Sequence, residues 1–284
     1  MWFLHVALLA IVQGLAELLP VSSSAHVIVA ERLMGMDPTA PDTTLLLVML
    51  HTGTMLAVIV YFWGRWRRAF FQSAADFKSF VIALILATLL TGIVGGVLIK
   101  AIEKFAFPGV SHAWVEELFG RLDLIAAALA ATGIVILIAS AMEKRSRDRQ
   151  PTTIELNAKQ AFWIGAVQGL CLPFRGFSRS GATISTGMIV GVQKVRAEDF
   201  SFALAVVLTP LVVARELLRV VQSQHTGLAG SLLPGLVGVV FAFIAGLLAL
   251  KWLSRWLETG RWYLFGIYCL LAAAVVAYLY HAGY

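Results

Sequence analysis

Apolar residues along this chain run in long blocks, separated by short polar clusters. Six blocks have the length of a membrane-crossing helix: about 44–64, 79–101, 123–142, 200–221, 232–252 and 262–281. A helix rises about 1.5 Å per residue, so about 20 apolar residues cross a hydrocarbon core of roughly 30 Å. Two further apolar regions, 1–33 and 160–192, are each interrupted midway. Leu19-Pro20-Val21-Ser22-Ser23-Ser24 breaks the first, and a stretch from Leu172-Pro173 through Ser180-Gly181 breaks the second. Each flank is too short for a full span, so both regions are expected to be re-entrant helix pairs. Irregular backbone at membrane depth survives only where protein or a polar cavity satisfies it.

The two breaks are related to each other. Val12-Gln13-Gly14-Leu15 recurs as Val167-Gln168-Gly169-Leu170, and in both cases a Leu-Pro and a serine-rich turn follow. Three spans come after each broken pair, and an odd number of crossings inverts the second half relative to the first. The expected fold is therefore all-α: a polytopic membrane protein with six full spans and two re-entrant helix pairs in an inverted repeat. It forms a single membrane domain over 1–284, with a first half 1–142, a second half 158–284 and a cytoplasmic linker 143–157. Under this plan the basic loops 65–78, 143–159, 193–199 and 251–261 share one side, and the acidic residues mostly lie on the other. The positive-inside rule makes the basic side cytoplasmic and puts both termini outside.

Composition agrees. Hydrophobic residues make up 60% of the 284 positions and charged residues 13%, against about 45–50% and about 25% in soluble domains. The net charge of +6 resides in those loop clusters. No basic stripe interleaves with aromatics, so no nucleic-acid partner is expected. Cys171 and Cys269 lie in apolar stretches without metal-type spacing and read as packing residues.

Polar groups at membrane depth mark function. Gln13 and Glu17 are four residues apart and share a helix face that Pro20 terminates. A carboxylate near free helix-end carbonyls suits a hard divalent cation, Mg2+ or Ca2+, with Gln13 and Glu17 as its protein ligands. Ser22, Ser23 and Ser24 then offer hydroxyls, and His26 follows in the next first turn. A serine at a helix start is usually a cap. Beside Glu17, however, Ser23 and His26 become candidates for nucleophile and proton donor, with the choice between them open. His51 reads as a core histidine, and Arg215-Glu216 as packing or snorkelling residues.

The second break packs Arg175, Ser178, Arg179, Ser180 and Thr183 around Gly176 and Gly181, immediately before an apolar helix. Glycines admit backbone amides to an anion, the helix start adds positive potential, and arginine matches phosphate bidentately. These residues are the expected phosphate ligands, with Ser22 beside them and Arg179 at the catalytic centre. A cation site and a phosphate cradle on facing re-entrant loops imply a diphosphate, and the surrounding lipid implies a hydrocarbon chain on it. Metal-assisted hydrolysis of a lipid diphosphate is the leading reading.

The same residues carry a family resemblance. Gln13-Gly-Leu-Ala-Glu17, the following Leu19-Pro20-Val21-Ser22-Ser23-Ser24-Ala25-His26, and Gly176-Phe177-Ser178-Arg179-Ser180-Gly181-Ala182-Thr183 resemble the two motif blocks of the bacterial undecaprenyl-diphosphate phosphatases, also called bacitracin-resistance proteins. The likeness extends along nearly the whole chain. It implies release of phosphate from undecaprenyl diphosphate, recycling of the monophosphate carrier for peptidoglycan, and a divalent cation. It also implies an inner-membrane location, a site open to the periplasm, and bacitracin resistance. Residue by residue it implies roles for Gln13, Glu17, Ser23, His26, Ser178, Arg179 and Thr183. Ala25 and Arg175 stand where many members carry glycine and proline, so Arg175 rests on physical grounds alone. The other lipid-phosphatase family has a Ser-Arg-x5-His motif, and no histidine follows Ser178-Arg179 or Ser254-Arg255 at that spacing. A polyprenyl-phosphate transporter or flippase is the alternative, and oligomerisation is left open.

Overall fold

The computed structural model describes residues 2–36, 41–106, 120–146, 156–222 and 228–283. Among these residues every regular element is a helix. In chain order they are α1 (Trp2–Leu18), α2 (Ser23–Leu33), α3 (Pro41–Phe70), α4 (Ala74–Ala106), α5 (Leu122–Ser146), α6 (Ala158–Cys171), α7 (Arg179–Ile189), α8 (Lys194–Gln222), α9 (Leu228–Glu258) and α10 (Trp262–His281). Both expected breaks are real. Pro20 has no amide proton to continue α1, and Ser22 turns the chain at φ 67° before α2 starts. Asn157 opens α6 with a reciprocal cap: its side chain accepts the Gln160 N–H, and its own N–H donates to the Gln160 side chain, both at 2.9 Å. Pro173 lies two residues beyond the end of α6.

Five helices are long and apolar enough to cross a membrane: Leu45–Phe70, Ala74–Phe105, Leu122–Arg145, Leu233–Glu258 and Trp262–His281. The sixth expected span, 200–221, lies within α8, which does not meet that standard among the described residues. Lys194, Arg196, Glu198 and Asp199 crowd its first turns, and Thr209 and Pro210 interrupt its apolar middle. Several basic clusters read as loops are helical instead. Arg67 and Arg68 occupy the last turn of α3, Lys144 and Arg145 that of α5, and Arg255 that of α9. Cations there complement the helix dipole. Residues 147–155 of the expected linker, residues 223–227 and the side chains of Arg215 and Glu216 lie outside the described residues.

The chain divides into two compact units, each drawing helices from both sequence halves. One comprises Met1–Leu19, Ser23–Gly64 and Ala205–Arg255; the other comprises Pro20–Ser22, Arg65–Leu204 and Trp256–Tyr284. In the first unit, Val6, Leu9 and Ala10 of α1, Val27 of α2, Leu46 and Leu50 of α3 and Ala242 of α9 form a buried cluster. In the second, α6 packs on α4, α10 on α5, and α7 against α5 and α6.

Candidate functional site

The first unit gathers three of the expected residues on one carboxylate oxygen. Gln13 is buried, and its Nε2 donates to Glu17 Oε2 at 3.3 Å. The Ser23 hydroxyl, on the first residue of α2, donates to the same oxygen at 2.5 Å. A third group, His51 of α3, brings its Nε2 to 3.8 Å from that oxygen. His51 Nδ1 lies 2.7 Å from Leu47 O, and because a carbonyl only accepts, this nitrogen carries a proton. The ring is thus fixed with its other nitrogen toward Glu17. His51 is not the enclosed core residue that the sequence suggested, since its side chain is 32% exposed. His26 sits half-buried three residues after Ser23 on α2. The Glu17 carboxylate gives the Ser23 proton a defined acceptor.

Among the described residues, no group of three or more His, Cys, Asp or Glu side chains is placed to hold a metal ion. A cation here would have one carboxylate, Glu17, with neutral oxygens from Gln13 and Ser23. Such a donor set fits a hard ion such as Mg2+, which keeps several waters and takes substrate phosphates as ligands, and does not fit a closed all-protein cage.

The second unit holds the other break. Gly176 has φ +99°, and a Cβ there would lie 2.6 Å from Ile125 O, so both conformation and space require glycine. Ser178 caps α7, its oxygen accepting the Gly181 N–H at 3.2 Å, and it also lies 3.4 Å from the Ser180 hydroxyl. Thr183 donates to Arg179 O at 2.8 Å and meets Ser201 Oγ of α8 at 2.6 Å. Ser178, Ser180 and Thr183 are all buried. The structure brings these three together as expected, but turns their hydroxyls into the fold of the turn. The groups left half-exposed at this break are Arg175, Phe177 and Arg179. Two residues with no sequence signal complete it: Thr132 of α5, which accepts the Ser178 N–H at 2.9 Å, and Ser201.

Pro20, Val21 and Ser22 also belong to this second unit. The Pro20 carbonyl accepts the Cys269 S–H at 3.3 Å. It lies 3.2 Å from where a Cβ on Gly181 would sit, so the first turn of α7 comes close to this part of the first break.

The helices define a multi-pass membrane protein whose polar chemistry gathers where two apolar helix pairs are broken. Comparison with known proteins gives the family. The family described as Bacitracin resistance protein BacA matches residues 6–275, and the chain belongs to it. It is 56% identical over 280 residues to "Undecaprenyl-diphosphatase 2" of Acinetobacter baylyi, covering 96% of each chain. It is 36% identical over 295 residues to "Undecaprenyl-diphosphatase 1" of Burkholderia pseudomallei (99% and 98% covered). To "Undecaprenyl-diphosphatase 2" of Burkholderia ambifaria it is 34% identical over 283 residues (96% and 94% covered).

Proposed function

We propose that this chain hydrolyses undecaprenyl diphosphate in the bacterial inner membrane, releasing inorganic phosphate and returning undecaprenyl phosphate for peptidoglycan synthesis. Family membership and full-length likeness to undecaprenyl-diphosphatases support the activity. The observation that carries the chemistry is the Ser23 hydroxyl donating to Glu17 Oε2 at 2.5 Å. Hydrolysis needs a nucleophile next to a base, and lipid transport does not.

Ser23 acts as the nucleophile toward the terminal phosphorus, and Glu17 takes its proton. Gln13 holds the carboxylate in place. His26 donates a proton to the departing lipid phosphate, and water then releases the phosphate from Ser23. Arg179, at the positive end of α7 and with a planar fork suited to phosphate oxygens, binds the transferring group as its charge changes. Arg175 and Ser22 bind the remaining diphosphate oxygens. A bound Mg2+ or Ca2+, held by Glu17 and Gln13, would neutralise diphosphate charge.

The spans belong to an inverted repeat, with α8 as the sixth crossing and α1–α2 and α6–α7 re-entrant. Element order supports this: each half is a short helix pair followed by three longer helices. Packing supports it too, because the first helix of each half crosses the fourth helix of the other half. Gly14 of α1 lies against Ala242 and Ala245 of α9, and Gly169 of α6 against Thr91, Val94 and Gly95 of α4. The basic helix ends then face the cytoplasm, and the site opens to the periplasm.

Purified protein in detergent is expected to release phosphate from a polyprenyl diphosphate, to stop in EDTA, and to resume with excess magnesium or calcium. Release that ignores chelation removes the cation from the mechanism. No release, together with movement of labelled polyprenyl phosphate across liposomes, would replace the phosphatase with a transporter. For orientation, single cysteines at Ser73 and Thr259 should be shielded from an impermeant thiol reagent in intact cells, in a chain with Cys171 and Cys269 replaced by alanine. One at Met36 should label. Equal labelling of all three contradicts the inverted repeat.

A further inference from the structure

Arg179 is the first residue of α7, and residues 180–187 behind it are all buried. Two hydroxyls from outside the motif brace this turn, Thr132 directly on the backbone before the arginine and Ser201 through the Thr183 hydroxyl. Thr132 donates its one proton to Ala128 O at 3.1 Å, which leaves its oxygen to accept the Ser178 N–H at 2.9 Å. On the other side, Thr183 gives its proton to Arg179 O at 2.8 Å. The 2.6 Å contact between Thr183 and Ser201 therefore has Ser201 as donor. Thr132 is 0% and Ser201 1% exposed, so neither touches a substrate. Both stand on braced supports. Thr132 belongs to the α5 face whose Ile125 and Ala128 back Gly176. Ser201 follows the first turns of α8, where Arg65 pairs with Glu198 and Asp199, each at 2.9 Å.

We propose that Thr132 and Ser201 are positioning residues for the phosphate-binding arginine, Thr132 holding the Ser178 N–H and Ser201 bracing the Thr183 hydroxyl that holds the Arg179 carbonyl, so that the guanidinium is aimed before substrate arrives. The inference rests on the phosphate role of Arg179 given above. A small misplacement of a group that acts in the transition state lowers kcat by as much as about 100-fold while leaving ground-state binding nearly intact.

The test uses full-length protein in detergent with a polyprenyl diphosphate. Thr132→Val keeps the shape but removes the acceptor, and Ser201→Ala removes the donor. Each is expected to lower kcat about 10- to 100-fold with KM changed by less than about 3-fold. Thr132→Ser keeps the acceptor and should restore kcat to within about 3-fold of the parent. In an Arg179→Lys background, Thr132→Val should cost less than about 3-fold more, because no fork remains to be aimed. Parental kcat in Thr132→Val, no rescue by Thr132→Ser, or a full multiplicative loss in the lysine background overturns the inference. Parental kcat in Arg179→Lys alone overturns the phosphate role itself, and the inference with it.

Discussion

Val12-Gln13-Gly14-Leu15 and Val167-Gln168-Gly169-Leu170 open the two helix pairs with the same four residues, and the two glycines still do the same work. A Cβ on Gly14 would lie 2.6 Å from Ala245 Cβ, and one on Gly169 would lie 2.7 Å from Val94 Cβ. In each case the missing side chain lets a second helix cross closely, which is how helices gain packing energy where lipid offers no hydrophobic drive. The glutamines differ in their partners. Gln13 Nε2 reaches Glu17, four residues on, whereas the residue four after Gln168 is Leu172, so Gln168 turns to Thr91 Oγ1 at 3.4 Å instead. One scaffold thus supports a carboxylate with donors around it at the first break and two half-exposed guanidiniums at the second. The same packing device serves both breaks while the polar partners differ.

The largest effect should come from the charge that the second break lacks. Glu17→Gln keeps size and removes the acceptor for the Ser23 proton, so kcat should fall by about 10²–10⁴-fold, the usual worth of a general base. Unchanged thermal unfolding in detergent would show that the fold is intact. A residual rate above a tenth of the parent would mean that Ser23 is not activated by Glu17.

The counterpart at the second break is Arg179→Lys, which keeps the charge but turns a bidentate contact into a single one. Losing one charge-assisted bond in a dry site costs about 2–4 kcal/mol, or roughly 30- to 1000-fold in kcat, with KM affected far less. A rise in KM at constant kcat would make Arg179 a ground-state binder and the comparison one between catalysis and capture.

The sequence shows where the helices stop but not which way the hydroxyls face. Pro20, Pro173 and the Ser178 cap have local consequences, so the breaks and helix starts follow from composition and spacing. The inward orientation of Ser178, Ser180 and Thr183 does not, because a serine that caps a helix and one that binds phosphate occupy the same position in the same motif. His51, Thr132 and Ser201 reach their sites from other helices, with Thr132 separated from Ser178 by 46 residues. No periodicity within one element encodes such a meeting. The over-short spans of the sequence reading have a different cause: Arg67 and Lys144 look like loop residues, yet a helix C-terminus stabilises them.

The shared glycines give a smaller, symmetric effect. Gly14→Ala and Gly169→Ala should each destabilise by about 1–3 kcal/mol, because the added methyl meets another helix with no flexible end to yield. Gly14→Ala should also lower activity through its neighbour Gln13. Thermal unfolding in detergent reads the first effect and phosphate release the second. Activity loss from Gly169→Ala equal to that from Gly14→Ala would put the second glycine in the site's support as well.

The smallest change is expected at the second glutamine. Gln168 is buried, its Nε2 bond is long, and its Oε1 has no hydrogen-bond partner among the described residues. Leaving a buried acceptor unmet costs about 1–3 kcal/mol, and replacing such a group with an apolar one of similar shape is near neutral or stabilising. The loss on the other side of the balance is one weak bond to Thr91, whose hydroxyl already donates to Ala87 O at 2.8 Å and Gly165 O at 3.0 Å. Gln168→Leu should therefore shift stability by less than about 1 kcal/mol in either direction and leave phosphate release at the parental rate. Gln13→Leu should reduce release by about 10-fold, because it strips a donor from a carboxylate that must stay oriented and charged. A parental rate in Gln13→Leu, or a collapse in Gln168→Leu, would reverse the assignment of which break carries the chemistry and which only the crossing.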